Sequence, residues 1–220
     1  MESMNFEQIV SNTVALQGRP FEMRVCPDQY LGGLTKIIGN TQFPTRESVI
    51  NRPSSPCLIM ILESPHVDEF VDNPGPAKGF TGEMIRKYLP NALGRPVQEG
   101  MGLVLLNAVQ YQCSLGSNTV VYRDRIFRAA WTQGGEENFL SRLQSVIIPG
   151  DLIMNCCTKG NDFEINTPLR SLVEWAVRQS APHISTIRRM HPASWRNEAW
   201  RDKVWQYREP KMGHTIVAKC

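Results

Sequence analysis

The sequence predicts an α/β fold, a three-layer α/β/α sandwich around a central, mainly parallel four-stranded sheet. Two observations support this prediction. Four short apolar segments, each too short for a helix, end in polar or turn-forming residues. Segments with helical periodicity lie between them, and strands that alternate with helices are typical of parallel sheets covered on both faces.

The predicted strands are 57–62 (CLIMIL), 103–106 (LVLL), 151–157 (DLIMNCC) and 183–190 (HISTIRRM). The first three are continuously apolar rather than alternating, which favours strands buried on both faces of a sheet. Ahead of the first strand, segment 40–56 is rich in Pro, Ser, Asn and Arg and is predicted to be a long loop.

Helices are predicted at 81–89, 138–147 and 166–179, with weaker helical patterns at 5–16, 120–131 and 195–207. Thr81 is the expected N-cap of the first. Thr167 and Pro168 predict the start of the third, with proline at the first helical position.

The chain of 220 residues, 41% of them hydrophobic, is long enough to bury a large core and is interpreted as one domain, 1–220. Its net charge of +3 does not by itself indicate a nucleic-acid partner. Segment 188–211, however, carries seven basic and three acidic residues, interleaved with aromatics. This pattern fits either a nucleic-acid surface or an amphipathic helix that packs its aromatic residues inward.

The six cysteines show no spacing typical of a zinc site or an iron–sulfur cluster, so we expect no metal and no cofactor. No signal peptide and no apolar segment long enough to cross a membrane is present. We therefore expect a cytoplasmic protein, monomeric and without a membrane partner.

Chemically useful side chains follow all four predicted strands. They are Glu63, Ser64, Pro65 and His66 after the first, Asn107 after the second, Thr158 and Lys159 after the third, and His191 after the fourth. Ligands of open parallel sheets bind in the crevice beyond the carboxyl ends of the strands. The four ends together therefore predict a functional site.

The segments ILESPHVDEF, NPGPAKGFTGEMI, LVLLNAV and MHPASW resemble the uracil-DNA glycosylase superfamily in order and rough spacing, over residues 57–200. The resemblance implies base flipping out of DNA, double- or single-stranded. It implies that Asn107 hydrogen-bonds the edge of the base, that Phe80 stacks on its face and that His191 donates to the base oxygen that becomes negative.

The resemblance also implies DNA contacts. Lys78, Lys159 and Ser194 are predicted to contact phosphates. Trp195 or Arg196 is predicted to fill the gap left by the flipped base.

The first loop departs from the family. Leu62-Glu63-Ser64-Pro65-His66 replaces Gly, a polar residue, Asp, Pro and Tyr, so the water-orienting aspartate is missing. Glu63 is our first choice to position the water or to stabilise the oxocarbenium-like sugar, and Asp68 is the second. His66 replaces the tyrosine that excludes a 5-methyl group, so the pocket is expected to admit a larger substituent.

The resulting hypothesis is a monofunctional DNA glycosylase that leaves an abasic site. The excised base would be of the uracil type or a hypermodified cytosine. An example of the latter is glucosylated hydroxymethylcytosine, which one type of superfamily member in bacterial defence removes from phage DNA. The alternative is a non-catalytic DNA-binding module on the same fold. A hydrolase using Ser64 and His191 ranks last, because Ser64 lacks the glycine-flanked turn that exposes a nucleophile.

Overall fold

Six strands form one mixed sheet in the order β2-β1-β4-β3-β5-β6. The structure, a computed structural model, describes residues 5–13, 23–94, 97–162 and 167–203. The strands are β1 (Gln29–Gly33), β2 (Glu47–Ser48), β3 (Cys57–Leu62), β4 (Gly102–Asn107), β5 (Leu152–Asn155) and β6 (Ser185–Arg188).

The four predicted strands are β3 to β6, and they pair in parallel. The prediction of an α/β fold on a mainly parallel sheet is confirmed, but the strand number is wrong, because β1 and β2 add an antiparallel edge beside β4. β1 contains two glycines and β2 has two residues, so neither forms an apolar segment. Segment 40–56, predicted to be a loop, contains β2 and the 3-10 turn Val49–Asn51.

Seven α-helices lie in the described part of the chain. They are α1 (Phe6–Thr13), α2 (Leu34–Ile37), α3 (Phe80–Leu93), α4 (Ile126–Ala130), α5 (Glu136–Val146), α6 (Leu169–Ser180) and α7 (Glu198–Arg201). α4 follows the π-helical segment Val120–Arg125 and is separated from α5 by a kink at Gln133 and Gly134, whose backbone angles are not helical. The strong predictions at α3, α5 and α6 are confirmed.

Helix ends differ from the sequence predictions in detail. α3 begins one residue before Thr81 and is capped by Gly79, and α6 is capped by Pro168 rather than Thr167. Gly94 ends α3 in the left-handed conformation that glycine adopts without strain. Of the helix predicted at 195–207, the described residues 195–203 contain the four residues of α7, and positions 204–207 lie outside the described part.

Alternate residues of β3 face two separate hydrophobic cores. Cys57, Ile59 and Ile61 pack with residues of α1, α4, α5 and α6, whereas Leu58 and Met60 pack with residues of α2 and α3. Helices therefore pack on both faces of the sheet, as the apolar character of its central strands requires. Within the described ranges, no helix combines the length and the apolar character needed to cross a membrane.

Candidate functional site

A cavity of about 560 Å³ lies at the carboxyl edge of the parallel strands. Its walls are the loop after β3, the first turn of α3, the segment after β4, Thr158 after β5 and the turn after β6. Of the predicted site residues it is lined by Glu63, Ser64, His66, Asp68, Phe80, His191 and Ser194. Three of the four strand ends thus supply side chains to one cavity.

Glu63, after β3, contacts residues that follow both β5 and β6. Its Oε2 accepts a 3.2 Å hydrogen bond from the backbone N–H of Thr158 and lies 3.7 Å from His191 Nε2. Glu63 is buried, with 6% of its surface exposed. A carboxylate that follows β3 and an imidazole that follows β6 therefore face each other at the carboxyl edge of the sheet.

The backbone fixes the orientation and the tautomer of His191. Pro192 starts the 3-10 turn Pro192–Ser194, and His191 Nδ1 accepts a 3.3 Å hydrogen bond from the backbone N–H of Ala193. A neutral imidazole has one acceptor and one donor nitrogen, so Nε2 carries the hydrogen. His191 thus presents a donor, beside Glu63, to any group in the cavity.

Ser64, Pro65 and His66 continue the first loop. Pro65 is buried, and the Ser64 hydroxyl oxygen is buried without a hydrogen bond to His191. Because His191 faces Glu63 instead, the serine–histidine pair of the hydrolase alternative is not formed. His66 Nδ1 lies 3.3 Å from the backbone nitrogen of Asp68, a contact that caps the turn Val67–Phe70.

Asp68 and Phe80 lie at the mouth of the cavity. The Asp68 side chain is 57% exposed and lies 3.3 Å from His66 Nδ1. Phe80 is the first residue of α3, 47% exposed, and its ring is open to a planar ligand. Two residues on, Gly82 packs so tightly that a Cβ there would lie 1.9 Å from the carbonyl oxygen of Ala77.

The structure places the predicted phosphate contacts differently. Lys78 Nζ donates to the backbone oxygens of Val71 and Asn73 and so holds the neighbouring loop. Ser194 donates to the backbone oxygen of His191 at 2.6 Å while lining the cavity. Lys159 and Arg196 are exposed at the surface.

Trp195 is a core residue. It is 0% exposed, packs in the core that contains α3, and donates from Nε1 to the backbone oxygen of Met190 at 2.9 Å. A buried ring held in this way is not available for insertion into DNA, so the prediction for Trp195 is wrong. Of the two predicted wedge residues, only Arg196 is exposed.

Asn107 ends β4 as predicted but is not among the residues that line the cavity. It is buried, and its Nδ2 lies 3.4 Å from Oε2 of Glu69, which does line the cavity. The direct contact of Asn107 with a base edge, expected from the resemblance, is therefore not supported by this geometry. Glu69 occupies the position between Asn107 and the cavity.

Glu69 is the residue that sequence reasoning missed. Its Oε2 also accepts from the Cys26 thiol at 3.5 Å, and its Oε1 accepts from the backbone N–H of His66 at 3.3 Å. Burial raises the pKa of Glu69 to about 7, although the hydrogen bonds from His66, Asn107 and Cys26 oppose this shift. The cavity thus contains a carboxyl group that titrates near neutral pH.

A second missed residue is Arg123, which lines the cavity and belongs to the π-helical segment Val120–Arg125. Such segments are frequent at functional sites, but no simple sequence pattern marks them. In the described ranges, no group of three or more His, Cys, Asp or Glu side chains is arranged to hold a metal ion.

No protein-family model and no curated protein matches this chain. The geometry of the cavity therefore carries the functional argument.

Proposed function

We propose that this protein is a monofunctional DNA glycosylase that excises a modified pyrimidine and leaves an abasic site. The observation that carries the proposal is the pair of Glu63 and His191, 3.7 Å apart at the floor of a cavity that three strand ends form. The volume of about 560 Å³ falls within the range typical of small-molecule sites.

The reaction needs the base outside the helical stack, at a cost of a few kcal/mol. Phe80 would stack on the flipped base at the cavity mouth. As the bond from C1′ to the base breaks, its electron pair leaves with the base, and the Nε2–H of His191 would stabilise the charge on the base oxygen.

Glu63 would act on the sugar. Its carboxylate stabilises the cationic C1′ and orients the water that adds there, and the proton of that water passes to Glu63 and then to solvent. The departing base takes a proton from solvent. No lysine is among the described residues lining this cavity, which favours hydrolysis over Schiff-base chemistry.

The cavity wall at His66 favours a base with a 5-substituent. His66 is partly exposed, and the residue next to its Nε2 is Gly116, which has no side chain. This leaves more room than a buried tyrosine would. Candidate bases are uracil-type bases and hypermodified cytosines such as glucosylated hydroxymethylcytosine.

A basic hollow beside the cavity supports a DNA partner. It meets the cavity at Gly79 and is lined by Lys78, Arg86 and Lys87 together with Glu83. Cations at the mouth of a cavity attract phosphates.

The test is incubation with duplexes and single strands that carry uracil, hydroxymethyluracil or glucosylated hydroxymethylcytosine, followed by alkaline cleavage of abasic sites. Phage genomic DNA with and without hypermodified cytosine extends the range of bases. We expect strand scission with at least one base and its loss in Glu63→Gln. Salt-dependent DNA binding without scission on any base would instead support the non-catalytic module.

A further inference from the structure

Three polar side chains that line the cavity, Ser114, Thr119 and Arg123, have no role in the proposed reaction. Glu63 and His191 follow strands β3 and β6 and Phe80 begins α3, whereas Ser114, Gly116, Thr119 and Arg123 come from the segment after β4 and form a second wall. This second wall combines two hydroxyl groups with a guanidinium, a set of hydrogen-bond donors.

Arg123 is held in a fixed orientation. Its Nε donates to Asp124 Oδ1 at 2.7 Å, and Asp124 is fully buried. Asp124 Oδ2 in turn accepts from the backbone N–H of Asp162 at 2.9 Å and from that of Asn161. A single ion pair with a rigid carboxylate therefore positions the guanidinium beside the cavity.

Most donors of this guanidinium are uncommitted. Arg123 Nη2 is buried and has no hydrogen-bond partner among the residues that the structure describes, and the side chain, 14% exposed, lines the cavity. An arginine has five N–H donors, of which the Nε–H is used here by Asp124. Buried donors without acceptors are costly, and an anion brought into the cavity would lower that cost.

The hydroxyl groups of Ser114 and Thr119 are also available to donate hydrogen bonds to a ligand. Ser114 Oγ accepts from the backbone N–H of Gly116 at 3.2 Å, and Thr119 Oγ1 accepts from Asn161 Nδ2 at 2.7 Å. Because each oxygen already accepts a hydrogen bond, its own hydrogen is left to donate to a ligand.

We propose that Arg123, Ser114 and Thr119 form a subsite for an oxyanion of the phosphate or carboxylate type. A guanidinium matches the two oxygens of such a group in a bidentate pair. That the anion belongs to a nucleotide rests on the proposed function. Within it, the anion is either a phosphate next to the flipped nucleotide or an acidic substituent on the base.

The first experiment does not depend on catalysis. Inorganic phosphate, deoxycytidine and deoxycytidine 5′-monophosphate are titrated into the full chain, with tryptophan fluorescence or amide chemical shifts as the readout. We expect phosphate and the monophosphate to bind more tightly than deoxycytidine, and Arg123→Gln to weaken both by about tenfold or more. Arg123→Lys keeps a cation for Asp124 and is expected to bind with intermediate affinity.

Arg125→Gln is the matched control. Arg125 lies in the same π-helical segment, is 44% exposed, bonds Asp162 and is not among the residues lining the cavity. It loses the same charge and should bind phosphate as the parent does. Absence of phosphate binding, or equal binding by the parent and Arg123→Gln, would overturn the subsite.

The second experiment identifies the source of the anion. Duplexes carry a non-cleavable 2′-fluoro-deoxycytidine, with or without a 5-carboxyl group, and their dissociation constants are compared. Equal weakening of both by Arg123→Gln assigns the subsite to a backbone phosphate, and weakening confined to the carboxylated duplex assigns it to the base. Phosphate binding that needs Arg123, in a protein that excises no base, would retain the subsite and reject the glycosylase.

Discussion

Glu63 and Glu69 are six residues apart, both buried and both in the wall of one cavity, yet their surroundings differ. Glu63 faces the imidazole of His191 and the backbone N–H of Thr158. Glu69 is bonded by a thiol, an amide and a backbone N–H, all of them neutral donors. Burial raises the pKa of Glu69 to about 7, because the cost of burying the carboxylate charge is larger than the stabilisation that these hydrogen bonds give it.

The difference shows how a shared location produces two kinds of carboxyl group. A carboxyl beside an imidazole and a strand-end N–H is suited to electrostatic work on a substrate. A carboxyl such as that of Glu69, for which the cost of burying the charge exceeds the stabilisation by its hydrogen bonds, changes protonation near neutral pH. The following variants test whether the two roles are separate.

The largest effect is expected at Glu63. Glu63→Gln removes the negative charge opposite His191 and should lower the rate of base excision by about 10²- to 10⁴-fold, without loss of folding. Asp68→Asn, at the exposed rim, should lower it by less than about tenfold. Single-turnover excision measures both, and the reverse ranking would transfer the carboxylate role to Asp68.

A smaller effect, on stability rather than rate, is expected at Glu69. Its pKa of about 7 in the folded protein lies above the ordinary 4.5, so the folded state binds the proton more tightly than the unfolded state does. The parent should therefore lose about 3 kcal/mol of unfolding free energy as the pH rises from 4.5 through 7, and no more above it.

Glu69→Gln should remove this loss, which urea denaturation at several pH values between 4.5 and 8 measures. The control is Glu137→Gln, which removes a carboxyl from the exposed face of α5. An unchanged pH dependence in Glu69→Gln would contradict the neutral-donor description of Glu69.

The smallest effect is expected at Asn107. Asn107→Leu removes a donor that stabilises the ionised form of Glu69, so the pKa of Glu69 should rise further, by about one pH unit or less. The midpoint of the pH-dependent stability loss reports this change. A midpoint that stays in place, together with a collapse of excision, would return Asn107 to the direct role that the family resemblance implies.

The fold was predictable where the local sequence alone indicates a strand. Three of the four parallel strands, β3, β4 and β5, are short buried segments, and three of the four strand ends meet as the topology of such sheets requires. β1 was not predictable in this way, because QYLGG has neither alternation nor an apolar run. Its place in the sheet comes from pairing with β4, whose paired residues lie 69 to 76 positions away in sequence.

The site was also predictable only in part, because some of its residues are placed by contacts with residues that are distant in sequence. Glu63 and His191 follow strands directly, whereas Glu69 lies in an acidic turn, VDEF, that looks solvated. Its burial comes from Cys26 and Asn107, which are 43 and 38 residues away. Trp195 was misassigned because the turn after Pro192 directs it into the core beneath α3, which no helical periodicity reveals.

Gly82 has a consequence for efforts to change base preference by mutagenesis. The first turn of α3 rests directly on the Ala77 carbonyl, so any side chain at position 82 would lift that turn and carry the Phe80 ring with it. A residue that no ligand touches thus sets the width of the cavity entrance. A mutant library should keep position 82 as glycine and place its diversity at positions such as 66, where the wall changes and the entrance does not.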